Sequence, residues 1–110
     1  MSKIPIHPGE ILVDELEALN MSAAQLAREI RVPANRVSQV LAGKRTITAD
    51  TALRLGILFG TGPQFWLNLQ SAYELDVAMN NSPKELKQIV PLTKQLSKTT
   101  KMQKINQRAV

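Results

Sequence analysis

Asn35 and Gln39 stand four residues apart, with Arg36 and Ser38 between them and Ala42 one turn on. Each amide carries a donor beside an acceptor, the pattern that pairs with N6 and N7 of adenine. Arginine offers the matching fork to guanine O6 and N7, and Ser or Ala permits close approach to a thymine methyl. At helical spacing the two amides project from one side. Lys44 and Arg45 follow closely and Ser22 lies upstream. Cations, and the amides at a helix start, suit the sugar-phosphate strand. The chemistry on offer is recognition of a nucleic-acid duplex.

Bond-making chemistry has little to work with. Among 110 residues there is no cysteine and one histidine, His7. That excludes a disulfide framework, a cysteine zinc site, a cysteine nucleophile and a pair of histidine metal ligands. Glu10, Asp14, Glu15 and Glu17 crowd one helix, and read as a solvated face with acid near a helix N-terminus. His7, beside Pro8, reads as structural. No catalytic, metal or cofactor site is expected, no small-molecule substrate, and no enzyme activity. Apolar runs such as residues 55–59 are too short to span a membrane and no hydrophobic leader opens the chain. A cytoplasmic location is expected.

The charge is unevenly placed. The net +5 comes from 14 Lys and Arg against 9 Asp and Glu, with a pI of about 9.9. Residues 1–80 are net −1, while residues 81–110 are net +6 and hold one acid, Glu85. Within the first part, residues 28–54 are +4, flanked by blocks of −3 and −2. The local block around the amide pair bears on function; the pI mostly reflects the tail.

Positioning those residues needs short helices in a fixed frame. Apolar period and caps predict a first helix over Pro8–Leu19 with Leu12, Leu16 and Leu19 inward. Ser22 with Gln25 forms a capping-box pattern for a second, ending near Ile30. Arg31, Val32 and Pro33 make a three-residue break. A third helix covers residues 34–42, closed by Gly43 and burying Val37, Val40 and Leu41. Thr48 caps a fourth, with Ala52, Leu53, Gly56 and Ile57 expected inward. A fifth, rather apolar helix runs from Pro63 to about Met79. Ser82 and Glu85 suggest a capping box for a short helix carrying Leu86, Ile89 and Val90 before Pro91. Beyond Gln95 the chain has few anchors and reads as mobile. Two domains of organisation follow: residues 1–80, which read nucleic acid, and a C-terminal extension, residues 81–110. Two short helices joined by a three-residue turn, the second with one face open, describe a helix-turn-helix.

The segment SAAQLAREIRVPANRVSQVLAG, residues 22–43, resembles the helix-turn-helix of the lambda-repressor-like (XRE) family. A wider series, HPGEIL (7–12), GKR (43–45), ITADTALRL (47–55), FG (59–60) and PQFWLNLQ (63–70), resembles the HigA antitoxins and spans residues 7 to about 79. The resemblance implies an all-α, five-helix lambda-repressor-like domain with a short helical or extended basic C-terminal tail. It also implies a homodimer on palindromic double-stranded operator DNA, autorepression, and neutralisation of a HigB toxin, a RelE-like ribosome-dependent mRNA endonuclease. Carried over by residue, base contact falls on Ala34, Asn35, Ser38 and Gln39 with Arg36 flanking, and phosphate contact on Ser22, Lys44 and Arg45. Arg31 departs from the pattern, because that position often holds glycine at positive φ. A side chain there costs on the order of 1–2 kcal/mol, so the turn is either strained or reshaped.

Phe65 and Trp66 are expected in the core. For Tyr73, Val77 and Met79 two readings stand, core or a dimer or partner surface, since a palindrome reader needs a two-fold mate. Leu86, Ile89, Val90, Leu92 and Leu96 are the tail's candidates for packing. Three functions remain open: an antitoxin that is also a repressor, an orphan regulator of the same fold without a toxin, and an adaptor that no longer binds DNA. A small RelE-like reading frame beside the gene separates the first from the second.

Overall fold

Each of the first four helices starts on a residue suited to end a loop. The computed structural model describes residues 4–94. Helix α1 is Pro8–Leu19, α2 is Ala23–Ile30, α3 is Ala34–Leu41, α4 is Ala49–Phe59 and α5 is Pro63–Asn80. His7 caps α1: its Nδ1 accepts from Gly9 N at 2.9 Å, and Glu10 Oε2 accepts from His7 N at 3.1 Å. This is a capping box with imidazole in the hydroxyl's place. Ser22 and Gln25 form the expected box on α2, at 3.1 and 2.9 Å. Pro33 precedes α3 and Thr48 caps α4. Glycines at positive φ, Gly43 and Gly60, lie at the ends of α3 and α4.

These helices bury one continuous core. Leu12 and Leu16 of α1, Leu26, Ala27 and Ile30 of α2, and Val37 and Val40 of α3 meet Ile47, Ala52, Leu55 and Trp66. Helix α2 packs on α3 and α4, α1 on α3 and α5, and α4 on α5. Helix α3 is thus held from both sides with its remaining face outward.

Four expectations change. Leu19, expected inward, is exposed in the last turn of α1, where Leu12 and Leu16 alone of the three leucines are buried. The inward face of α4 is Thr51, Ala52, Leu55 and Gly56, while Leu53 and Ile57 are exposed. Apolar residues lie on both sides of this helix, so its period fits two rotations. Close approach decides: a Cβ on Gly56 would meet the Gly62–Pro63 backbone at 2.6 Å, so this face must point inward. Trp66 is buried as expected, but Phe65 is exposed, its ring packed edge-on against the Trp66 indole at 5.1 Å. The Ser82 capping box does not form: Pro83 takes the cap position without a side-chain bond, and a 3₁₀ turn, Lys84–Gln88, replaces the α-helix. Five residues before Pro91 give too few hydrogen bonds to offset helix nucleation.

Helices α1–α5 belong to one compact unit that ends at Asn80, and the described residues from Asn81 onward fall outside it. Among the latter, a further 3₁₀ turn covers Leu92–Lys94, and Leu86, Ile89, Val90 and Leu92 are exposed. Leu96 and the segment beyond Gln95 lie outside the described residues.

Candidate nucleic-acid interface

The turn before α3 is the strained alternative. Arg31 takes φ 60° and ψ 51°, the left-handed region. Its N–H reaches Arg28 O at 3.2 Å, and Val32 N–H reaches Ala27 O at 3.0 Å. The Arg54 guanidinium crosses from α4 to the same turn, donating to Ile30 O at 2.8 Å and Arg31 O at 3.2 Å. These bonds satisfy the carbonyls that end α2 and offset the strain at Arg31.

The outward face of α3 carries Ala34, Asn35 and Ser38, all exposed, and Gln39, half-buried. Ser38 Oγ donates to Ala34 O at 3.0 Å, so its hydroxyl offers acceptors outward. Gln39 Oε1 accepts from Arg45 Nε at 2.8 Å, which ties the loop after α3 to the outward face of that helix. Lys44 is exposed beside it. Gln70, buried on α5, fixes the far end of that loop by accepting from Ile47 N at 2.8 Å and donating to Glu74 at 2.7 Å.

Arg36, next to Asn35 on α3, is half-buried. Its guanidinium donates to Asp50 Oδ2 at 2.6 Å, and Arg54 Nε donates to both Asp50 oxygens at 3.1 Å. One carboxylate thus ties α3 to α4, and through Arg54 to the turn. Arg36, expected to flank the base contacts, here has its guanidinium on this carboxylate. Ser22 stands at the start of α2, its hydroxyl oxygen committed to the cap.

Asp50, Arg54 and Gln70 are the residues that sequence reasoning missed. The i,i+4 spacing of Asp50 and Arg54 was a readable signal; the pairing of Arg36 with a residue fourteen positions away was not. Hydrogen bonds from Arg36 and then Arg54 hold the Asp50 carboxyl below the usual carboxylate range, outweighing desolvation. With the folded value depressed, its contribution to stability is full above the unfolded value of about 3.9 and is lost as pH falls through the folded one. The stability gap between wild type and Asp50→Asn should therefore be constant from neutral pH down to about 5 and close below about 4. Urea midpoints measured across that range test it; a gap unchanged at low pH would remove Asp50 from this role.

The candidate dimer residues lie apart from this face, on α5. Tyr73 is half-buried with its ring edge-on to His7 at 4.9 Å, Val77 is half-buried, and Met79 is exposed. The acids of α1 form a solvated face. Among the described residues no group of His, Asp and Glu could hold a metal ion, and no helix is long and apolar enough to cross a membrane.

Five helices, a left-handed turn between α2 and α3 and an open polar face on α3 define a helix-turn-helix protein. The Helix-turn-helix family HTH_3 matches residues 12–66. A HigA-family addiction module antidote protein from Coxiella burnetii is 54% identical, with a TM-score of 0.76 over 83% of this chain and 98% of that one. The Pseudomonas aeruginosa antitoxin HigA, solved with the higBA promoter, is 47% identical, with a TM-score of 0.76 over 81% and 99% of the two chains. Antitoxin HigA-1 of Vibrio cholerae is 36% identical over 80% of this chain and 84% of its own length. The chain belongs to the HigA antitoxins of the helix-turn-helix family, a non-enzymatic class.

Proposed function

We propose that this protein is the antitoxin and autorepressor of a toxin–antitoxin pair, a homodimer that covers a palindromic operator in its own promoter. It silences a HigB-like, RelE-type mRNA endonuclease by forming a complex with it. The open face of α3, held rigid by α1, α2 and the Asp50 tie, is the observation that carries the DNA half of this reading. Asn35, Ser38 and Gln39 read base edges, with Ala34 fitting against the groove floor. Ser22 and the start of α2, together with Lys44 and Arg45, bear on phosphates. Tyr73, Val77 and Met79 supply the dimer surface. Residues 1–80 do the reading, and residues 81–110 are a separate extension. The toxin half draws its support from kinship with the HigA antitoxins.

Full-length protein mixed with the DNA upstream of its gene should give a shift that its own sequence competes and random duplex does not. Co-expression with an adjacent RelE-like reading frame should restore growth. Failure to bind that DNA even at low salt, where phosphate contacts are strongest, would remove the repressor. Failure to restore growth would leave the orphan regulator. Lys44→Ala, which removes one lysine from each protomer, should weaken specific and random duplex alike and lower the salt slope of the dimer by about 2. Titrations at several salt concentrations check this.

A further inference from the structure

The contact between Arg45 and Gln39 fixes which way the amide faces. Arg45 Nε–H can only donate, so the Gln39 atom 2.8 Å from it must be the carbonyl oxygen. The Gln39 amide then has its two N–H bonds left to offer, both donors. The guanidinium on the same exposed contact brings further N–H groups and no acceptor. The oxygen keeps a second lone pair, but a cation now sits against it. A bidentate adenine contact would bring the N6 amino group, a donor with partial positive charge, against that same cation. Guanine presents O6 and N7, two acceptors side by side, to the same groove.

We propose that Gln39 and Arg45 act as one donor-only reading unit that selects guanine rather than adenine at a single base pair of each half-site. Arg45 is a positioning residue for the Gln39 amide and lends its own donors to the same edge. The inference rests on the proposed base-reading role of Gln39 and refines it, since glutamine alone favours adenine. It also gives Arg45 a task beyond phosphate attraction. Arginine and lysine differ here: lysine keeps the charge but lacks the planar fork that holds the amide.

The test compares full-length wild type, Gln39→Ala and Arg45→Lys on every single-base variant of the site bound upstream of the gene, at two or more salt concentrations. Gln39→Ala should erase the preference at one base pair per half-site. In wild type that pair should be G·C, favoured over A·T by about tenfold. Arg45→Lys should keep the salt slope yet cut that preference to within about twofold or turn it toward adenine. An A·T preference at that position in wild type, or a guanine preference untouched by Arg45→Lys, would overturn the proposal while leaving Gln39 a base reader. If Gln39→Ala alters no preference anywhere, the base-reading role of Gln39 fails first and the paired unit fails with it.

Discussion

Gly9→Ala is expected to destabilise the protein by about 3 kcal/mol and to weaken operator binding by more than the loss of folded protein explains. In an open helix the same change stabilises by roughly 1 kcal/mol, because alanine gives up less backbone entropy. Here the sign reverses. A Cβ on Gly9 would sit on the carbonyl oxygen of Val40, with the Val40 carbonyl carbon at 3.0 Å and His7 Nδ1 at 3.1 Å. The obstructing atoms are backbone, so no rotamer change relieves them. Helix α1 has to lift away from α3, opening the core around Leu12 and Val40, or α3 has to move. Either response shifts the helix that carries Asn35 and Gln39, and recognition geometry fails before folding does. Gly60→Ala separates this from backbone strain: nothing lies within 4 Å of its Cβ, but φ is +72°. It should cost about 1–2 kcal/mol and leave DNA affinity per folded molecule unchanged. Denaturant midpoints and titrations of the same preparations check both. A Gly9→Ala variant as stable as wild type would mean that α1 and α3 are not in contact here.

That contact also marks what the sequence could and could not disclose. Helix positions were legible because local rules set them: Ser22 with Gln25, Thr48, Pro63 and Gly43 act over three or four residues. The polar face of α3 was legible for the same reason, since Val37, Val40 and Leu41 leave only one side for Asn35 and Gln39. Helix α4 was not, because Leu53 and Ile57 satisfy its apolar period as well as Thr51 and Leu55 do. Packing of Gly56 on the next turn decides between the rotations, and that is a tertiary fact. Arg36 is a second case. Its residue type and place on α3 suited a base contact, yet Asp50, fourteen residues on, claims its guanidinium. Gln39 and Arg45 are closer in sequence, but their hydrogen bond depends on how the loop from Gly43 to Ile47 is pinned by Gln70. Local pattern thus disclosed which residues face outward, while long-range contacts determine which of them are already engaged.

Replacing Asn35 and Gln39 together by alanine is expected to abolish sequence-specific binding while sparing the fold, the non-specific affinity and growth rescue. Each bidentate base contact is worth roughly 1–3 kcal/mol of discrimination. A homodimer loses four such contacts, two in each half-site, so specific affinity should fall at least about a thousandfold, down to the level at which random duplex binds. Non-specific binding should survive, since Lys44, Arg45 and the start of α2 stay in place and phosphate attraction does not depend on sequence. Stability should change little: Asn35 is exposed, Gln39 is half-buried, and alanine suits a helix better than either amide. The lost bond from Arg45 is a solvent-side contact, worth about 1 kcal/mol or less. The variant should therefore melt near the wild-type temperature and still retard DNA at low salt. It should fail to distinguish its own upstream sequence from competitor, yet still restore growth beside the toxin. Competition gel shifts, thermal unfolding and co-expression on one set of proteins read all four outcomes. Retained specific binding would move the reading face off α3, and lost growth rescue would place the toxin contact on the same residues as the DNA contact.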